Sequence, residues 1–171
     1  MIVRRVEAAE PPLLDGLCEL LIDSVHGGAS VGFLAPLARS TAERYWSGVF
    51  QGLGEGLALW VAQDGARVAG SVQLDPCAKE NGRHRAEVQK LFVRTSHRGR
   101  GVATRLLREV EDFARAAGRT LLVLDTQAGS HAEVVYRHLG WQRAGEIPGY
   151  AAAPDGALHP TAYYFKVLAS A

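Results

Sequence analysis

Apolar positions recur along this chain with two different periods, and the switches between them mark out its elements. "IVRRV" near the start alternates and reads as a short strand. In "PPLLDGLCELLIDSVHGG", Leu14, Leu17, Leu21 and Val25 fall at helical spacing, with proline at the start and Gly27 past the end. "TAERYWSGVFQGL" carries a shorter, weaker helical pattern with Thr41 as candidate N-cap. "LALWVAQ" and "ARVAGSVQL" alternate on either side of Asp64-Gly65, a two-residue hairpin signal. "KENGR" turns the chain into "HRAEVQKLFVR", so three antiparallel strands are predicted in succession.

The second half changes period again. Val102, Leu106, Val110, Phe113 and Ala117 recur at helical spacing. The other face offers Arg105 with Glu109, Arg108 with Asp112 and Glu111 with Arg115, all four apart. Gly118 ends this helix. "TLLVLD" is a near-continuous apolar run, which predicts a strand buried on both faces and parallel to the one before the helix. "SHAEVVYRHLGW" reads as a short helix stopped by Gly140. "WQRAGEI" and "TAYYFKVL" read as strands joined by the loop "PGYAAAPDGALHP". The expected fold is a mixed α/β sheet of six to seven mostly antiparallel strands, with one central parallel pair and about four helices.

A length of 171 residues suits one domain, spanning 1–171. The formal net charge of +1 gives no global field that would draw nucleic acid or an anionic membrane. Positive charge is local instead: Arg94, His97, Arg98, Arg100, Arg105 and Arg108 crowd one segment. Cys18 and Cys77 are the only cysteines, too few for a disulfide framework or a zinc site, and no metal is expected. "MIVRRVEAAEPP" lacks the apolar region of a secretory signal, and no window is apolar enough to span a bilayer. A cytoplasmic protein with neither membrane nor nucleic-acid partner is the expectation.

The basic segment, "SHRGRGVATRLLREV" at residues 96–110, carries the chemistry. Gly99-Arg100-Gly101 imitates the start of a dinucleotide-binding fingerprint, but Thr104 stands where the third glycine belongs. Five residues, "RTSHR", also separate strand from glycine where that motif needs a tight turn. A P-loop fails because no Gly-Lys-Ser/Thr occurs. Two readings remain: a plain glycine turn with solvated arginines, or a phosphate cradle at a helix N-terminus.

Arg98-x-x-Gly101-x-Ala103 after "VQKLFV" resembles the pyrophosphate-binding signature of the GNAT superfamily of N-acetyltransferases. That signature is Arg/Gln-x-x-Gly-x-Gly/Ala, placed after the fourth strand and opening the next helix. The element order agrees with the GNAT fold along nearly the whole chain. Four longer blocks, "VHGGASVGF", "NGRHRAEVQKL", "LDTQAGSHAEVVY" and "GEIPGYAAAPDGALHPTAYYF", resemble members that acetylate a β-lactam amino-acid toxin.

The resemblance implies a GNAT-like acyl-CoA N-acyltransferase fold, acetyl-CoA as cosubstrate, and direct transfer to a small-molecule amine, amino-acid-like in character. It implies cofactor contacts along the main chain of Leu91, Phe92 and Val93, and at Arg98, Gly99, Arg100, Gly101, Val102, Ala103, Thr104 and Ser130. Many members carry an asparagine seven residues before the catalytic tyrosine; here that place is Gly129, with Ser130 beside it. Tyr136 becomes the acid for the leaving thiolate, and Glu87 and Asp125 the carboxylates that handle the amine proton. His26, Ser30, Phe33, Gln89 and Tyr150 become the acceptor contacts. A homodimer is compatible with this picture.

Each assignment has a plainer counterpart in the residues themselves. Tyr136 shares a helix face with Ala132, Val135 and Leu139, as a core aromatic would. Glu87 reads equally as a surface strand charge, Asp125 as a turn acid, and His26-Gly27 as an ordinary helix end with Gly27 left-handed. Two other functions also stay open: a non-catalytic acyl-CoA sensor, which needs the cradle but not the acids, and an acetyltransferase for a protein or peptide amine.

Overall fold

The computed structural model describes residues 1–54 and 56–169. In chain order the elements are β1 (Ile2–Val6), α1 (Pro11–His26), α2 (Arg39–Gly52), β2 (Ala58–Asp64), β3 (Arg67–Pro76), β4 (Arg85–Val93), α3 (Val102–Ala116), β5 (Leu121–Gln127), α4 (His131–His138), β6 (Gln142–Ala152) and β7 (Leu158–Val167). The seven strands form one sheet in the order β1-β2-β3-β4-β5-β7-β6. All neighbours are antiparallel except β4 and β5. The predicted class, with its single parallel pair and four helices, is the observed one. No helix among the described residues is long and apolar enough to cross a membrane.

Strand alternation divides the core in two. On β2, Ala58, Trp60 and Ala62 face α3 while Leu59 and Val61 face α1 and α2. α3 buries Leu106, Leu107 and Val110, and α1 buries Leu17, Leu20 and Leu21. Each such side chain contributes roughly 1.5–3 kcal/mol on leaving water. α3 comes close to the sheet because Gly70 on β3 has no side chain. A Cβ there would stand 2.8 Å from the Phe92 carbonyl oxygen and 2.9 Å from Val102 Cγ1. On the other face α1 is tied to the segment before α3. Asp23 accepts from the Thr95 N–H and hydroxyl, both at 2.7 Å, and Glu19 meets Arg94 at 3.2 Å.

Several local expectations differ from the structure. α2 begins at Arg39, so Thr41 lies inside its first turn and Ala38 is the N-cap. The two-residue hairpin loop is Gly65-Ala66, one position later than expected, because Asp64 pairs with Arg67. β5 is buried on one face only: Leu122 and Leu124 enter the core, whereas Leu121 and Val123 are partly exposed. It also runs two residues past Asp125. The expected loop at 148–160 is mostly strand, since bulges let β6 and β7 stay paired out to Ala152 and Leu158. Glu111 is buried rather than on the solvent face of α3, where it accepts from Trp141 Nε1 and Lys166 Nζ. At the end of α1 the left-handed residue is Gly28, not Gly27.

The parallel pairing is short. Only Arg85–Glu87 align with Leu121–Val123, after which β4 and β5 diverge. On its other side β4 carries a bulge: Ser71 and Gln73 of β3 pair with Phe92 and Gln89, so Lys90 and Leu91 share one place in the ladder. The divergence and the bulge together open the centre of the sheet.

Candidate active site

Two cavities meet at that opening. The first, of about 430 Å³, lies against the start of α3 and is lined by Leu91, Phe92, Val93, His97, Arg98, Gly99, Gly101, Val102, Ala103 and Thr104. The second, of about 590 Å³, takes in Ser30, Glu87, Gln89, Lys90, Asp125 and Tyr150. Gly28, Ala29, Leu91, Ser130, Ala132 and Tyr136 line both.

The first cavity is built from backbone. Gly101 is the N-cap of α3 at φ +74 and has no side chain to satisfy the helix's first amides. Gly99 is also left-handed, at φ +72. Glycine meets that conformation without the cost of roughly 1–2 kcal/mol that a Cβ brings. A Cβ at either place would have nothing within 4 Å, so the floor of the cradle is open. The amides of Val102, Ala103 and Thr104 occupy the first helical positions, where N–H groups lack intrahelical acceptors and the helix dipole is positive. Arg98 adds a full charge, its guanidinium so close to α1 that a Cβ on Gly27 would come within 3.1 Å. Such an end suits an anion with several oxygens.

Tyr136 stands at the junction. It is 6% exposed and packs obliquely on Trp141 and Tyr164, with ring centroids at 6.0 and 5.9 Å. Burial, and then the charge of Asp125, push its hydroxyl well above the ordinary phenol value. The start of α4 is held by Glu133, which accepts from the Gly129 N–H at 2.6 Å and from the Tyr164 hydroxyl. Gly129 has φ +78, and its backbone is engaged by that bond. Ser130, next along, turns its hydroxyl to within 3.5 Å of Thr126 Oγ1 and lines both cavities.

The second cavity is built from side chains. Glu87 on β4 is directly opposite Asp75 on β3 and Val123 on β5, which puts Asp125 diagonally across on the same face. Glu87 and Asp75 both reach solvent, but partial desolvation at the cavity mouth raises each carboxyl above the usual carboxylate value. For Glu87, repulsion from Asp125 and Asp75 adds to this and Lys90 opposes it. Tyr150 stacks edge-on against Tyr163 at 5.9 Å. A strap formed by residues 28–37 closes one wall. Ser30 donates to the Ala152 carbonyl at 3.4 Å, the Ala35 N–H to Pro154 at 2.9 Å, and Lys90 Nζ to Val31 at 2.9 Å.

Three of the sequence-predicted residues lie elsewhere. His26 is outside both cavities and accepts the Leu37 N–H at Nε2, 3.2 Å away, fixing the end of the strap. Phe33 is half-buried and packs edge-on against Tyr45 at 5.3 Å, on the outside of the α1/α2 core. Arg100 is exposed and lines neither cavity, because the left-handed glycines on either side turn it outward. Residues the sequence reading missed include Lys90, Asp75, Thr126 and Glu133. Only Glu133 left a signal, an acid three residues after the N-cap Ser130. Among the described residues, no group of three or more His, Cys, Asp or Glu side chains is placed to hold a metal ion.

Comparison with known proteins agrees with this geometry. Residues 30–141 match the acetyltransferase (GNAT) family. An uncharacterised N-acetyltransferase from the hisH-hisA intergenic region of Azospirillum brasilense is 37% identical over 127 residues, 73% of this chain and 74% of that one. N-acetyltransferase 8 of Rattus norvegicus is 38% identical over 95 residues, 53% of this chain, but the match spans only 42% of the rat protein. Among solved structures, a GNAT superfamily phosphinothricin acetyltransferase from Sinorhizobium meliloti in complex with AcCoA superposes with a TM-score of 0.77. It does so at 19% identity, covering 98% of this chain and 89% of its own.

Proposed function

The chain belongs to the acetyltransferase (GNAT) family, and on that premise we propose that it moves acetyl from acetyl-CoA directly to the amine of a small, amino-acid-like acceptor. The observation that carries this reading is the junction of the two cavities at Tyr136, where β4 and β5 part.

The backbone cradle at Gly99–Thr104 fits a pyrophosphate: free amides, a helix N-terminus of roughly half a positive charge, and Arg98 beside them. Beyond Glu87 the edge of β4 is free of β5, so the main chain of Leu91, Phe92 and Val93 can pair with an extended ligand arm. Acetyl-CoA, when bound, supplies a thioester that an amine can attack. Such an attack needs a neutral amine, and Glu87 or Asp125 takes the proton; the raised Glu87 carboxyl is the better base near neutral pH. Tyr136, kept protonated by its burial, gives a proton to the departing sulfur. Holding both partners in one place supplies the rest by proximity.

The volume of the second cavity, about 590 Å³, lies in the range of small-molecule sites, and the strap at 28–37 that forms one of its walls favours a small acceptor over a long peptide. The four sequence blocks that resemble the tabtoxin resistance protein support an amino-acid-like acceptor, with toxin resistance as one biological role. The presence of Glu87, Asp125 and Tyr136 around one opening favours an enzyme over a sensor.

The test is acetyl-CoA binding by calorimetry, then free-thiol release against small amines and amino acids. Binding followed by amine-dependent release is expected. Binding without release across the panel would return the sensor and the peptide acceptor to favour, and an absence of binding would sink the cradle at Arg98–Thr104.

A further inference from the structure

Lys90 ties down the strap through one bond to Val31, but neither that bond nor the acetyl transfer uses the rest of its charge. It sits in the β4 bulge at φ +55, the only non-glycine residue at positive φ among those described. That backbone costs a residue with a Cβ about 1–2 kcal/mol, and glycine would adopt it freely. Strain of this kind is kept where the side chain has work to do.

The side chain lines the second cavity with Glu87, Gln89 and Asp125. Its ammonium donates to the Val31 carbonyl at 2.9 Å and lies beside Gly32, whose Cβ, if present, would reach it at 3.3 Å. One of three N–H groups is thereby used. Among the described residues no carboxylate comes within the 4.0 Å of an ion pair with it. Burial pulls the ammonium below its ordinary value, and the more distant Asp125 and Glu87 only partly oppose that. A partly desolvated cation with no carboxylate in contact is left under-compensated, and one that lines a cavity is matched by an anionic ligand.

We propose that Lys90 is the anion anchor of this cavity, taking the carboxylate of an acceptor whose amine is turned toward Glu87 and Asp125. The proposal rests on the cavity being the acceptor side of the acetyltransferase. A cavity that carries both signs matches a zwitterion: a plain alkylamine leaves Lys90 unmatched, and a diamine sets a second cation beside it. The acceptors selected are therefore amino acids and other amines that carry a carboxylate.

The experiment pairs each amino acid with its amide and follows thiol release, reading the ratio of kcat/KM for acid over amide. In parallel, calorimetry in the presence of CoA compares N-acetylglycine with N-acetylglycinamide. The wild-type chain is expected to favour the acid in both. Lys90→Met should lower the ratio more than tenfold, mostly through KM, and Lys90→Arg should restore a large part of it. Lys90→Gly, which meets the backbone without strain, should behave like Lys90→Met if the latter folds poorly. An equal loss for acid and amide would make Lys90 only a clamp on the strap and overturn the proposal. So would a wild-type chain with no preference for the anion in either assay. If no amine releases thiol while N-acetylglycine still binds through Lys90, the anchor stands and the small-amine reaction falls.

Discussion

The two ends of the site are made in different ways. The end at residues 97–104 is one unbroken stretch that works through main-chain amides, two left-handed glycines and a helix start. The other end is assembled from side chains of β4, β5, β6 and the strap after α1, none adjacent in sequence to more than a few of the others. Backbone recognition survives changes of side chain and tolerates no change of φ. Side-chain recognition has the opposite sensitivity. The first end should therefore govern whether the cosubstrate binds, and the second which amine reacts and how fast.

Tyr136→Phe separates the two most strongly. Removing a general acid costs typically about 10²–10⁴-fold, so kcat should fall about a hundredfold or more. The ring still packs on Trp141 and Tyr164, so acetyl-CoA affinity by calorimetry should stay within about twofold. Unchanged turnover would remove Tyr136 from the chemistry and leave it a core aromatic.

Gly101→Ala attacks the backbone end. Alanine at φ +74 is strained by roughly 1–2 kcal/mol, and relief of that strain rotates the cradle amides. Acetyl-CoA binding should weaken about tenfold while kcat at saturation holds. Gly118→Ala is the control, because Gly118 has φ +72 at the far end of α3 and lines neither cavity. It should lower Tm and spare binding. Equal effects of the two variants on affinity would mean that the loss comes from general destabilisation.

The same contrast explains what could be read from the chain and what could not. Arg98, Gly99, Gly101 and Ala103 fall within six consecutive residues, so their pattern carries its own geometry, and the α3 period that follows marks where the helix begins. The antiparallel run of β2, β3 and β4 and the parallel pairing of β4 with β5 followed from alternation, turn residues and the helix between them, whereas the insertion of β7 between β5 and β6 had no local signal. His26, at the end of α1, and Phe33, in the strap after it, misled because they sit beside the cavity, and only the fold decides which residues there turn inward. Lys90 was invisible because a bulge inverts the strand's alternation at one residue, and no local signal announces a bulge. Glu111 looked like a surface charge for a similar reason: its partners Trp141 and Lys166 are 30 and 55 residues away.

Ser130→Ala probes the seam between the two ends. Ser130 lines both cavities beside Gly129. Loss of one hydroxyl hydrogen bond costs about 0.5–1.5 kcal/mol, so acetyl-CoA affinity should fall about threefold. No change at all would mean that the ligand arm is held by backbone alone.

Asp125→Asn gives the smallest and most specific effect, a displacement of the pH profile. Activity needs Glu87 ionised, so kcat/KM rises as pH climbs through its pKa, which partial desolvation and then the charges of Asp125 and Asp75 hold above the ordinary value of 4.5. Tyr136 stays protonated throughout the working range, because burial and then the charge of Asp125 hold its hydroxyl well above the ordinary phenol value. Removing the Asp125 charge lowers the Glu87 pKa, so the acid limb of the profile should move to lower pH. Lys90→Met removes the one cation that lowers Glu87, so its acid limb should move the other way, to higher pH. Opposite displacements are hard to obtain from a loosened fold, which would shift or flatten both variants alike. If Asp125→Asn instead abolishes activity, Asp125 itself is the base and Glu87 its electrostatic neighbour.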